Sequence, residues 1–467
     1  MSSSTNPSRA LHTLKYERKP VNGLALLADA GALPQRIHRN CSGGSMQIGV
    51  YGAGYLGTVV SACLADFGTP VSCCHPDSSQ MVAMAQGSIP FHEKNLTEVI
   101  KRNVRSGRLA YSTDIESFAR KAQVIFLAED SPEHLTELAI RITRAAPKPP
   151  ILSVVTPVPV GTASAIEQRI AEAGLRAIIV SQPMFFTPGC AIEDFNWPDR
   201  IILGTDSNDA ILAIKQIFHS LVMRGVPVIV TNHETAELVR ESATAFVATK
   251  ISFINELASL CERVNADAVS LSLALGLDKK IAPRCLQPGA GMGGLFAESD
   301  MDSLADLAQR NGVALKVLSA AREVNHGLAD LVIEKISKCV QSVLNKDVGI
   351  LGLAFKPNTN SVAGSSSIRL AKTLITQGAR VRAYDPVAMT EARVELNGSV
   401  HYCESPYAAA EGVDALVVGT GWPEFRGLDF NRIKQTLRRP LIVDTKNLLD
   451  SVRLRAMGFE YVGVGRG

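Results

Sequence analysis

The chain has no long apolar run, almost no imbalance of charge and no cysteine spacing that builds a framework. Its longest apolar stretches, such as Ala177 to Val180 and Ala415 to Val418, suit buried strands and fall far short of a bilayer span. No membrane partner is expected. The formal net charge is only +3, and no basic run is interleaved with aromatics, so a nucleic-acid partner is not expected either. The nine cysteines are an odd number without a CxxC, and Cys73 and Cys74 are adjacent. They fit neither a disulfide framework nor a zinc site and read as thiols of a reducing cytoplasm, with no metal centre.

What is present points to more than one lobe, because 467 residues exceed a single hydrophobic core. Residues 1–45 are rich in Ser, Asn, Pro and Arg and read as a disordered extension, or as a misassigned start if Met46 is the true one. From Met46 the pattern alternates: Gln47 to Tyr51 as strand, Gly57 to Phe67 as helix, Pro70 to His75 as strand. Further buried strands are expected at Val124 to Ala128, Ile151 to Val155, Ala177 to Val180 and Ile201 to Leu203. Glu234 to about Val264 has no Gly or Pro and carries apolar residues at helical spacing, which predicts a long connecting helix. After about residue 325 the alternation restarts, with strands at Val348 to Leu353, Val381 to Tyr384, Leu416 to Val418 and Leu441 to Val443, and a helix from Ile368 to Gln377 ended by Gly378. The expected fold is α/β: two doubly wound, Rossmann-like lobes, 46–225 and 326–467, joined through a central helical region, 226–325.

Three stretches carry candidate chemistry. Gly52-Ala-Gly54-Tyr55-Leu56-Gly57 follows the first strand and opens the first helix, the setting in which a glycine turn lets a pyrophosphate sit on a helix N-terminus. The fingerprint wants an acid at the end of the next strand to hold a ribose. That position is His75, and Asp77, two residues on, either takes the role or caps the following helix. Gly289, Gly291, Gly293 and Gly294, with Met292 among them, form a loop suited to lie against a ligand. Lys356 follows the first strand of the second lobe, where ligands of open α/β sheets bind, and can meet a phosphate.

Together these pieces resemble the UDP-glucose and GDP-mannose dehydrogenase family from Met46 onward. The likeness is carried by the glycine turn, Gly107-Arg-Leu109, Val158-Pro-Val-Gly-Thr162, Pro198-Asp-Arg200, Ala236-Glu-Leu238, the segment 248–256, the loop 289–294, the segment 352–359, Tyr384-Asp-Pro386 and Trp422-Pro-Glu-Phe425. The resemblance implies NAD in the first lobe, UDP-glucose or a similar UDP-sugar in the second, and a dimer through the central helix. It also implies two hydride transfers that take the sugar C6 alcohol to a carboxylate, the second by way of a thiohemiacetal on a cysteine.

Several of the residues so implied are changed here. The cysteine position is Phe296, and the Pro-Lys-Asp that follows reads Glu298-Ser299-Asp300, keeping only the aspartate. The lysine after Ala-Glu is Arg240, the asparagine a turn later is Thr244, and the arginine of Asp-x-Arg-Ile is Lys280. The Ser-Thr-Val-Pro threonine is Pro157, the loop 183–189 has lost both its carboxylates, and Thr-Asp-Asp-x-Arg reads 359–363 without acid or arginine. By resemblance the candidates are Asp300 and Arg240 for catalysis; Gly52, Gly54, Tyr55, Leu56, Gly57 and Asp77 for NAD; and Gly291, Met292, Gly293, Gly294, Lys280 and Lys356 for the nucleotide sugar. Phenylalanine has no nucleophilic atom, so a second oxidation needs another thiol, for which the candidates are Cys190, just after the altered loop 183–189, and Cys285, just before the glycines. Two functions stay open: a divergent dehydrogenase, including one limited to a single two-electron step, or a non-catalytic sensor or partner subunit of an active paralogue.

Overall fold

A computed structural model describes residues 46–129, 131–294 and 297–466. The expected extension 1–45 and the altered cysteine position Phe296 lie outside the described residues. Two parallel sheets form, each because a run of short apolar strands is buried on both faces by helices. The first joins β1 (Ile48–Tyr51), β2 (Val71–Cys74), β3 (Leu109–Ser112), β4 (Val124–Leu127), β5 (Ile151–Val154), β6 (Ile178–Ser181), β7 (Ile201–Gly204) and β8 (Val228–Thr231). Its order is β3-β2-β1-β4-β5-β6-β7-β8, all parallel except for the antiparallel pairing of β6 with β7. Ile48 of β1 is opposite Val71 on one side and Val124 on the other, and every residue of β1 and β4 is buried.

The second sheet joins β9 (Asp347–Leu351), β10 (Arg380–Tyr384), β11 (His401–Tyr402), β12 (Ala415–Val418), β13 (Leu441–Asp444) and β14 (Glu460–Gly463), in the order β11-β10-β9-β12-β13-β14, all parallel. In both sheets the order reverses beside the first strand, between β1 and β4 and between β9 and β12. A crevice opens beyond the carboxyl ends there.

Between the sheets runs the central helix, His233–Arg263, of 31 residues and about 46 Å at the usual rise. Asn232 caps its start by accepting from the Thr235 amide at 3.0 Å. A second long helix, Lys316–Val340, packs on it and continues through residue 325, where the sequence pattern suggests that the central region ends. The reason is a continuous apolar face: Leu318, Ala321 and Asn325 are buried toward the central region, and Val332, Ile333 and Ile336 in the core of the second lobe. No helix among the described residues is long and apolar enough to cross a membrane.

Candidate functional site

At the carboxyl end of β1 the chain turns at Gly52, with φ +133°, and a Cβ there would sit 2.2 Å from the Ala128 carbonyl oxygen. At Gly57 a Cβ would sit 2.3 Å from the Gly52 carbonyl oxygen, so only glycine lets the helix Tyr55–Asp66 start so close to the turn. Gly54 is that helix's N-cap, with no side-chain cap and no acid in the first turn. The positive helix end is left clear for a phosphate, which fits a dinucleotide. The Tyr55 hydroxyl donates to buried Glu93 at 2.7 Å, and Leu56 is buried beneath the turn.

The ribose side is less regular. His75 follows β2, with its ring 6.4 Å from that of Tyr51, and its Nδ1 accepts from the Asp77 amide at 3.3 Å. Asp77 is the N-cap of Ser78–Ala85: its Oδ1 accepts from the Ser79 amide and hydroxyl and from the Gln80 amide. These bonds, the Ser79 hydroxyl first, hold its carboxyl below the usual range.

Where the central helix meets the carboxyl ends of β5 and β6, a charged cluster closes on itself. Arg240 Nη1 donates to Asp300 Oδ1 at 2.8 Å and Thr244 Oγ1 to Asp300 Oδ2 at 2.9 Å, with both charged side chains largely buried. Burial pushes the Asp300 carboxyl up, and Arg240 and Thr244 pull against it. Glu237 accepts from the amides of Gly161 and Ala163 at 2.6 and 2.9 Å and so ties the turn after β5 to the helix. Beside Arg240, Glu241 Oε1 accepts from Ser303 at 2.7 Å, while its buried Oε2 has no partner among the described residues. Nothing in the sequence pattern marks Glu241, because its environment is supplied by the helix Ala297–Arg310.

Beyond the second sheet lies a crevice of about 560 Å³, lined by Arg284, Lys356, Arg426 and Lys446 and, among the described residues, by no carboxylate. Gly289, Ala290 and Gly291 form one wall. The loop is pinned by Asn255 Oδ1 accepting from the Gly289 amide and Asn325 Oδ1 from the Met292 amide, at 2.8 and 2.7 Å. A Cβ on Gly291 would lie 2.6 Å from Asn325 Oδ1, and one on Gly293 2.2 Å from the Gly364 carbonyl oxygen. These two glycines, and Gly294 against Phe355, therefore answer first to close packing within the protein. Lys280 lies on an exposed turn outside the crevice lining. Sequence reasoning missed Arg284, Arg426 and Lys446; the only signal was that Lys446 follows the end of β13. Burial lowers the Lys446 ammonium to about 8.

The two thiols fall in different places. Cys285 is exposed on the crevice wall at φ +64°. Cys190 is half-buried between the lobes, with the Lys356 ammonium donating to its sulfur at 3.4 Å. Glu93 fixes that loop by accepting from the Ala191 amide at 3.0 Å and from the Gly189 amide.

A glycine turn on one Rossmann-like sheet and a cationic crevice on another, bridged by one helix, define a two-lobed α/β protein of the nucleotide-binding class. The chain belongs to the UDP-glucose/GDP-mannose dehydrogenase family, whose NAD binding, central and UDP binding domains match residues 46–222, 234–327 and 349–451. It is a UDP-glucose 6-dehydrogenase-like member, with NAD as the cofactor of its first domain. It is 34% identical over 435 residues to UDP-glucose 6-dehydrogenase TuaD of Bacillus subtilis, covering 90% of this chain and 93% of that one. It is 35% identical to the UDP-glucose 6-dehydrogenase of Rhizobium meliloti, covering 90% and 100%. The solved UDP-glucose dehydrogenase of Pyrobaculum islandicum superposes with a TM-score of 0.83 at 29% identity, over 91% of this chain and 98% of that one.

Proposed function

We propose that the protein binds NAD on the turn 52–57 and UDP-glucose in the crevice, and oxidises the sugar C6 alcohol by one two-electron step. The observation that carries this reading is the crevice itself: four cations and, among the described residues, no carboxylate suit a nucleoside diphosphate, in a chain whose other sheet carries a close-packed glycine turn with an uncapped helix N-terminus. NAD supplies the hydride acceptor. Gly52, Gly54 and Gly57 give the pyrophosphate its approach, Tyr55 and Leu56 anchor the turn, and Asp77 keeps one carboxylate oxygen for a ribose. Lys356 and the loop Gly291 to Gly294 hold the diphosphate and sugar, and Lys280 serves from the rim. Arg240 stabilises charge that develops on the sugar oxygen and Asp300 orients it.

The second oxidation is left out of this reading because the family's cysteine position is Phe296. Two copies of the chain pair through the exposed face of the central helix, in the cytoplasm. Calorimetric titration of NAD and UDP-glucose, followed by NADH absorbance on mixing all three, tests it; absence of binding by either ligand contradicts it. A second reading, a ligand-binding sensor or partner subunit without turnover, is favoured by the self-satisfied Arg240, Asp300 and Thr244 cluster. Binding of both ligands with no NADH would select that one.

A further inference from the structure

We propose that Glu241 is the proton acceptor for this alcohol oxidation, an inference that rests on the hydride-transfer reading above and supplies the group it leaves unnamed. Removing hydride from an alcohol requires a base for the hydroxyl proton. Around the cluster the other carboxylates are occupied. Asp300 spends both oxygens on Arg240 and Thr244, and Glu237 spends both on the amides of Gly161 and Ala163. Arg240 keeps its proton.

Glu241 is different. It is 4% exposed, one oxygen is held by Ser303, and the other has no partner among the described residues. A buried acceptor left unpaired costs stability and calls for a bound water, a ligand or a catalytic use. It lines a small cavity with Thr156, Gln182 and Arg240, beyond the carboxyl ends of β5 and β6. With a pyrophosphate on the first helix, the second half of a dinucleotide runs toward the carboxyl ends of these strands, the side of the sheet on which this cavity lies. Among the described residues, the charged groups facing Glu241 are Arg240 and Glu237 on its own helix and Asp300 on the helix Ala297–Arg310, and the carboxyl ends of β5 and β6 offer the uncharged Ser181, Gln182 and Thr156. Burial first, then Asp300, pushes its carboxyl up, while Ser303 and Arg240 oppose. That direction suits a group that must both take and release a proton.

NAD held on the turn 52–57 would supply the acceptor for the C6 hydrogen and its bonding electron pair. The O–H bond breaks, its electron pair completes the C=O bond, and the proton forms a new bond to Glu241 Oε2. The products are the C6 aldehyde, NADH and a protonated Glu241, which passes its proton to water as product leaves.

The test is single-turnover NADH formation by the full chain with NAD and UDP-glucose, in wild type, Glu241→Gln and Glu241→Asp, with calorimetric binding of both ligands alongside. The inference expects a loss of about 100-fold or more in Glu241→Gln, partial recovery in Glu241→Asp, binding within about twofold of wild type, and loss of the acid limb of the wild-type pH profile. A Glu241→Gln rate within about threefold of wild type would overturn the inference and leave hydride transfer standing. Binding without NADH in wild type would overturn both. Should Glu241→Gln not fold, a wild-type profile with no acid limb is the overturning result.

Discussion

Single atoms decide most of what the two ligand sites accept. Gly57→Val places carbon against the Gly52 carbonyl oxygen, closing the phosphate approach. NAD affinity should fall by about 100-fold, roughly 2.7 kcal/mol, by calorimetry, with UDP-glucose affinity unchanged. Cys190 touches Lys356, yet a single oxidation needs no covalent thiol. Cys190→Ala and Cys285→Ala should each leave the NADH yield per sugar unchanged, whatever they do to affinity. These glycines were legible in the sequence because their strand and helix are adjacent to them. Glu241 and Lys446 were not, because burial by segments about 60 and 80 residues away gives them their properties.

Elements were legible to within a few residues where apolar runs are bounded by turn residues, as for β1, β4 and the central helix. The half-exposed β8 and the two-residue β11 carry too little pattern to be read, and each is placed by its neighbour in the sheet. The central helix shows a further pattern: Phe246, Phe253 and Leu260 recur every seven residues, 67%, 54% and 53% exposed. Seven residues are nearly two turns, so these side chains share one face. An apolar stripe of this kind calls for a cover. Light scattering should report a dimer for the wild type and a monomer for Phe253→Asp, with little change in far-ultraviolet circular dichroism.

At the scale of the molecule, the crevice assembles cations from four separate segments, and its charge depends on Lys446. Burial holds that ammonium at about 8, so it is charged below that pH and neutral above it. UDP-glucose affinity should therefore fall as pH rises through about 8, with proton uptake on binding near that pH, and Lys446→Met should remove both effects. The same depression below the ordinary lysine value means that the buried charge works against folding of the free protein below about pH 8. That penalty lifts between there and the unfolded value near 10.4.

The proposed function rests on two nucleotide sites and on phenylalanine at 296, where the family resemblance implies a cysteine. The most direct measurement is the ratio of NADH formed to UDP-glucose consumed when limiting sugar is run to completion with excess NAD. A single oxidation gives a ratio of one with a C6 aldehyde as product; a ratio of two with a C6 carboxylate would contradict it.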